Sequence, residues 1–233
     1  TVENLFSHKK IVSIRQNIES LLKNIDSRPE GVVISHEGST LADKNRSAAN
    51  NHSIRGAAFL VRFIPFFQDI ARDEKLLRYV RKVLGKHIRV FRDQALFKPP
   101  NGQKKPIHQD QSYFLIDPPD ELLTAWIPLD DATIENGCMH YIPQSHRFGL
   151  FPVENDSERP VHHVPNTSTA KLASPIACPI KPGSVIFHHG CTLHYSEANQ
   201  SKQWRRAIIF HYTTKRASSA NDKLNNEISL ELE

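Results

Sequence analysis

Past Gly85 the chain breaks into short apolar or alternating runs, each stopped by turn residues, and this punctuation most limits the folds open to it. The runs are Ile88 to Phe97, Ile107 to Ile116, Leu122 to Asp130, Met139 to Ile142, Ile176 to Ile180, Val185 to His188 and Arg205 to Thr213. Between them lie Lys98-Pro99-Pro100-Asn101-Gly102, Pro118-Pro119, Glu135-Asn136-Gly137 and Lys181-Pro182-Gly183, residues that end strands. Upstream the period is helical. Ile11, Ile14, Ile18, Leu21, Leu22 and Ile25 recur at helix spacing, and a second helix is expected over Ile64 to Leu84 with Gly85 as its stop. Helices first and many closely spaced strands afterwards make an α+β, mainly β chain. The expected architecture is a jelly roll (double-stranded β-helix, cupin-like): a helical flank over about 8–85 and a strand core over about 86–214, together one domain spanning 1–233. Thr1 to Phe6 reads as a strand, Ser35 to Ser53 as a mobile polar loop, 151–175 as a long insertion, and the polar tail after Arg216 as frayed. A start without Met and already inside a strand-like segment suggests a trimmed N-terminus and leaves room for a lost leader.

Composition narrows the function classes. Hydrophobic residues are 39% and charged residues 24% of 233, too apolar for a disordered chain, and Gly 9 is too few for a fibre. Basic and acidic residues alternate to a net charge of only +5, with no concentrated stripe or tail. That argues against nucleic acid as a partner and is compatible with an anionic small molecule. The best apolar run, Gly56 to Phe67, is broken by Arg62 and Pro65, so no membrane span is expected. Cys138, Cys178 and Cys191 are odd in number and lack C-x-x-C spacing, which favours a reducing, cytoplasmic setting.

The chain carries 13 histidines. In His108-Gln109-Asp110, strand alternation would put an imidazole and a carboxylate on one face, two thirds of a facial triad that leaves open positions on Fe(II). A third ligand could come from His188, His189 or His194; the first two are adjacent, so at most one of them faces a common site. Arg205 and Arg206 must likewise point to opposite faces. A guanidinium turned into an apolar interior is costly unless it meets a carboxylate, from the protein or from a small dicarboxylate. Lys98, Lys104 and Lys105 precede the His108 strand and read as a solvated loop or a basic rim suited to an anionic substrate.

Several ordered motifs together resemble the phytanoyl-CoA dioxygenase family of Fe(II)/2-oxoglutarate-dependent oxygenases. They are Lys98-Pro99-Pro100, Pro106-Ile107-His108-Gln109-Asp110, Leu123-Thr124-Ala125-Trp126-Ile127-Pro128-Leu129-Asp130-Asp131-Ala132, Glu135-Asn136-Gly137-Cys138, Ile142-Pro143-Gln144-Ser145-His146, Lys181-Pro182-Gly183, His194 and Arg205. The resemblance implies a jelly roll in which His108, Asp110 and His194 bind Fe(II). It implies that Arg205, helped by Ser196, grips the 2-oxoglutarate carboxylate, and that Trp126 and Gln94 line the cosubstrate pocket. Fe(II), 2-oxoglutarate and O2 are then the cofactor and cosubstrates, with ascorbate as a stimulant, and succinate and carbon dioxide the coproducts. A carboxylate at Asp110, where related halogenases carry a small residue, favours hydroxylation of a small-molecule C–H bond in specialised metabolism. Gln109, Tyr113 and Lys98 are candidate substrate contacts, and the loops at 35–55 and 151–175 would carry selectivity. Two readings compete: a non-catalytic jelly-roll binding module, and a zinc hydrolase using the same His, Asp and His, with no need for Arg205. Substrate and oligomeric state stay open at this level.

Overall fold

The computed structural model describes residues 1–36, 54–155 and 162–232. Most of the expected Ser35–Ser53 loop therefore lies outside the described residues, though Ser35 and His36 belong to a strand. Helices α1 (His8–Lys23), α2 (Leu60–Phe63), α3 (Pro65–Ala71) and α4 (Glu74–Leu84) form the flank, and α5 (Gln111–Phe114) and α6 (Asp222–Asn225) are single turns. The strands are β1 (Val33–His36), β2 (Ile54–Ala58), β3 (Ile88–Lys98), β4 (Lys105–His108), β5 (Ile116–Asp117), β6 (Leu122–Pro128), β7 (Met139–Tyr141) and β8 (Val153–Asn155). They continue as β9 (His163–Pro165), β10 (Ile176–Cys178), β11 (Ile186–His189), β12 (His194–Ser196), β13 (Arg205–Thr214), β14 (Ser218–Ser219) and β15 (Leu230–Glu231).

Two antiparallel sheets face each other. The larger runs β1-β2-β3-β13-β6-β11, with β15 also on β3, and the smaller runs β10-β7-β12-β4. Strands β3, β13, β6 and β11 of the first and the four of the second make the eight-stranded jelly roll. Between the sheets pack Trp126, Met139, Ile180, Ile186, Ala207 and Ile209. The other face of the large sheet is covered by the helices: Ile11, Ile14 and Ile18 of α1 and Leu76, Leu77 and Val80 of α4 are buried with Ala125, Ile127, Ile208 and Phe210. Ser7 caps α1 by accepting from the Lys10 N–H, and Arg206 ties that helix down by pairing with Glu19 at 2.5 Å and with Asp130 at 2.7 Å. No helix among the described residues is long and apolar enough to cross a membrane.

Five expectations need correction. The helix over Ile64 to Leu84 is two helices, because the Asp73 side chain accepts from the Lys75 N–H and starts α4 afresh; Gly85, at φ +85°, does end it. The run Ile107 to Ile116 is not one strand: β4 stops at His108, and Asp110, at φ −58° and ψ −35°, starts a helical turn. Asn136-Gly137, a pair whose residue types suggest a hairpin turn, instead lies in the link from β6 of one sheet to β7 of the other. Part of the 151–175 insertion is ordered as the β8–β9 hairpin. The tail is not frayed: β14 pairs with β5, β15 pairs with β3, and Ser229 donates to Asp93 at 2.8 Å.

Ile14 is fully buried under the large sheet, so Ile14→Ala should lower unfolding free energy by about 2–4 kcal/mol in urea titrations. Val83→Ala, at a position 64% exposed on α4, should change it by less than about 0.5 kcal/mol.

Candidate metal centre and anion pocket

Strand register builds the interior of the roll in rows. Lys98 stands opposite Arg205; beyond the Leu96–Ala207 row, Gln94, Ile209, Trp126 and Ile186 form a polar-to-apolar row; and His211, Thr124 and His188 form the one after it. On the facing sheet His108, His194 and Tyr141 align across β4, β12 and β7. Alternation then turns every one of these side chains toward the gap between the sheets. His194 is thus a strand residue.

His108 and His194 project from neighbouring strands, and Asp110 reaches the same point from the helical turn, not from a strand face. One ligand atom from each lies within 4.8 Å of the other two, the only such group among the described residues. The Nδ1 atoms of His108 and His194 each donate to a backbone carbonyl, Pro106 O and Thr192 O, both at 2.8 Å. That fixes the tautomer and leaves each Nε2 lone pair aimed at the shared point. Asp110 divides its oxygens. Oδ1 faces the Nε2 atoms of His108 (3.9 Å) and His194 (3.6 Å). Oδ2 accepts from Thr124 Oγ1 at 2.6 Å and from His188 Nε2 at 3.0 Å.

Both donors are themselves oriented. Tyr141 O–H donates to His188 Nδ1 at 3.2 Å, and His211 Nδ1–H donates to Thr124 Oγ1 at 2.9 Å. Gln94 lies behind, its amide 3.5 Å from His211 Nε2. Burial would push Asp110 upward, but His194, the His188 hydrogen bond and His211 outweigh it and hold the carboxyl well below its usual range. Burial, then the neighbouring imidazole, lowers His108 well below 6.5 and His194 to about 4. At neutral pH the centre therefore presents one carboxylate and two neutral imidazoles, the state a divalent metal requires.

Toward the other end of the gap sits Arg205, 3% exposed, its guanidinium 5.6 Å above the Trp126 ring. Its Nε and NH1 are buried without a hydrogen-bond partner, and among the described residues no carboxylate pairs with it. Burial, then nearby Arg55, lowers it to about 10, so it remains a cation. Ser196 Oγ accepts from Lys98 Nζ at 2.8 Å, which leaves the Ser196 hydroxyl proton free to donate. Arg206 points the opposite way, to Asp130 and Glu19, as alternation requires.

Three other sequence candidates move. Lys98 is not on a rim: it is 2% exposed and donates inward to Ser196 and the Glu197 carbonyl. Gln109 cannot face substrate, because its amide donates to Gly149 O and Cys191 O and its carbonyl accepts from Phe151 N–H. Tyr113 does lie beside the centre, its ring 5.9 Å from that of His108. His189 faces outward to Asp120, so of the adjacent pair only His188 enters. Thr124 sits in a motif that gives it no role, and His211 in none; alternation with the apolar Ile209 two residues earlier on β13 is the signal that marks His211 as interior-facing.

A family model described as phytanoyl-CoA dioxygenase matches residues 1–207. A phytanoyl-CoA dioxygenase domain-containing protein 1 homolog of Caenorhabditis elegans is 24% identical over 90% of this chain and 85% of its own length. The Bos taurus phytanoyl-CoA dioxygenase domain-containing protein 1 is 32% identical over 63% of this chain, which spans only about half, 52%, of that relative. Among solved structures, a non-heme alpha ketoglutarate dependent carbocyclase from nogalamycin biosynthesis shares the fold, with TM-score 0.71 and 23% identity over 100% of this chain and 87% of that one.

Thr124→Val removes the shortest hydrogen bond to Asp110 without changing side-chain shape. It should weaken Mn(II) or Fe(II) binding by roughly 10–100-fold, read by anaerobic calorimetry, while leaving the thermal midpoint of the metal-free protein within a few degrees.

Proposed function

We propose that this chain, which belongs to the phytanoyl-CoA dioxygenase family, is an Fe(II)- and 2-oxoglutarate-dependent oxygenase that hydroxylates a C–H bond of a small molecule. His108, Asp110 and His194 are the iron ligands in this reading. Two imidazoles and one carboxylate on one face leave positions open for a cosubstrate and dioxygen. Arg205 and Ser196 take the distal carboxylate of 2-oxoglutarate, against the Trp126 ring. Gln94 contributes behind the centre, through His211. The whole chain, flank and roll together, acts as one domain. Three unpaired thiols, Cys138, Cys178 and Cys191, support a reducing, cytoplasmic setting.

The observation that carries the reading is the Arg205 guanidinium, buried in the same interior as the triad with two nitrogens lacking any partner. Such a group is expensive to leave bare, and a dicarboxylate reaching from the metal would satisfy it. Bound iron and 2-oxoglutarate supply the oxidising power, with succinate and carbon dioxide released. The protein's share is positional. His188 and Thr124 hold Asp110 still, Tyr141 and His211 hold those two, and the apolar row of Trp126, Ile186 and Ile209 keeps water from the space between metal and arginine.

Anaerobic titration of the Mn(II)-loaded protein with 2-oxoglutarate tests this directly. Arg205→Met should weaken 2-oxoglutarate by roughly a hundredfold, the ~3 kcal/mol typical of removing one member of a buried charge pair, with metal affinity unchanged. His108→Ala should abolish metal binding. No 2-oxoglutarate binding to the wild type would favour a zinc hydrolase, and binding without succinate release under any substrate would favour a non-catalytic module.

A further inference from the structure

The antiparallel register between β4 and β12 contains an irregularity with a chemical result. His108 stands opposite His194, yet Lys105, three residues earlier, stands opposite Ser196, only two residues later. One extra residue on β4 is a β-bulge, and it reverses the alternation. Without it Lys105 would point away from the roll. With it, Lys105 shares the face of His108, His194 and Ser196, and its ammonium is close enough to bear on both ligand imidazoles.

There Lys105 Nζ donates to Tyr113 Oη at 3.1 Å and lies 5.1 Å from the centre of that ring. Among the described residues no carboxylate pairs with it. Tyr113 is clamped from the other side by the insertion hairpin: the His163 ring stacks on it at 4.3 Å and 9°, and the His163 backbone N–H donates to the same hydroxyl oxygen at 3.2 Å. His163 is held in turn by the Ser112 carbonyl, 2.9 Å from its Nδ1. An ammonium and an amide N–H can only donate. Both acceptor sites of the phenol oxygen are therefore taken, and its own proton must go to an outside acceptor. Lys105 keeps two further N–H groups. Lys105 and Tyr113 thus present several donors beside the metal centre.

We propose that Lys105 and Tyr113 form an oxyanion socket that binds a carboxylate or phosphate-type group of the primary substrate, distinct from the Arg205–Ser196 pocket assigned to 2-oxoglutarate. This rests on the oxygenase reading and names the substrate class for the same site. The socket is carried by β4, α5 and the β8–β9 hairpin, whereas Arg205 and Trp126 belong to the large sheet, and Ser196, opposite Lys105 on β12, is engaged by Lys98 from the large sheet. It explains why part of the insertion is ordered against α5: the hairpin fixes the phenol that orients the lysine.

The test uses the full chain loaded with Mn(II) and saturated with 2-oxoglutarate, titrated calorimetrically without oxygen with hexanoate, hexyl phosphate and neutral hexanamide. The wild type should bind at least one of the two anions about tenfold or more tightly than the amide, and the better anion tells carboxylate from phosphate. Lys105→Met should erase that preference, Lys105→Arg should retain most of it, and Tyr113→Phe should reduce it several-fold. All three should bind 2-oxoglutarate within about twofold of wild type. Equal binding of anions and amide by the wild type, or an unchanged preference in Lys105→Met, overturns the socket. Loss of 2-oxoglutarate binding in Lys105→Met overturns it in favour of a cosubstrate contact. Failure of 2-oxoglutarate to bind the wild type is a separate outcome, which removes the oxygenase reading itself and the socket with it.

Discussion

Everything at the centre of this molecule depends on how one carboxylate is shared. Asp110 gives one oxygen to the point where two imidazoles converge and commits the other to Thr124 and His188. A carboxylate held at one oxygen cannot swing, so the second is presented in a fixed direction. Such fixing is costly to arrange in a buried place, because each donor must itself be oriented by something behind it. Tyr141 and His211 do this, one from each sheet. The two halves of the roll are therefore joined through a single acidic side chain as well as through apolar packing.

Three strands of the large sheet, β3, β6 and β13, were readable from residues alone because they are long, mostly buried runs rich in apolar residues, with turn residues at their ends. The small sheet was far less readable. β12 is three residues long, too short to show a period, and β4 ends where Asp110 adopts helical angles. Short elements owe their conformation to neighbours rather than to their own pattern. Motif resemblance supplied what periodicity could not, selecting His194 over His188 and Arg205 over Arg206; the geometry brings the selected histidine into the metal cluster and buries the selected arginine.

What remained hidden has one physical origin. Lys98 looked like a surface lysine because it precedes Pro99 and Pro100, but its partners Ser196 and Glu197 come from almost a hundred residues away. Lys105 looked equivalent to Lys104 until register set the two apart. His188, Thr124 and His211 have no role that their own sequence surroundings announce; they matter because three strands place them in one row. Cross-strand register depends on bulges and on partners distant in sequence, and neither leaves a local trace.

The order of strands in the large sheet also bears on how the molecule comes into being. β13 lies at the middle of that sheet, between β3 and β6, yet its pairing with β3 joins Arg205 to Lys98, more than a hundred residues earlier. A growing chain cannot close this sheet until Arg205–Thr214 has emerged, and contacts of such long range make folding slow. His108 and Asp110 are synthesised long before His194, so the three ligands meet only after the intervening strands have been made. Until that moment the exposed edges of β3 and β6 are unpaired, and they are where a nascent chain of this kind is most open to chaperones and to misassociation.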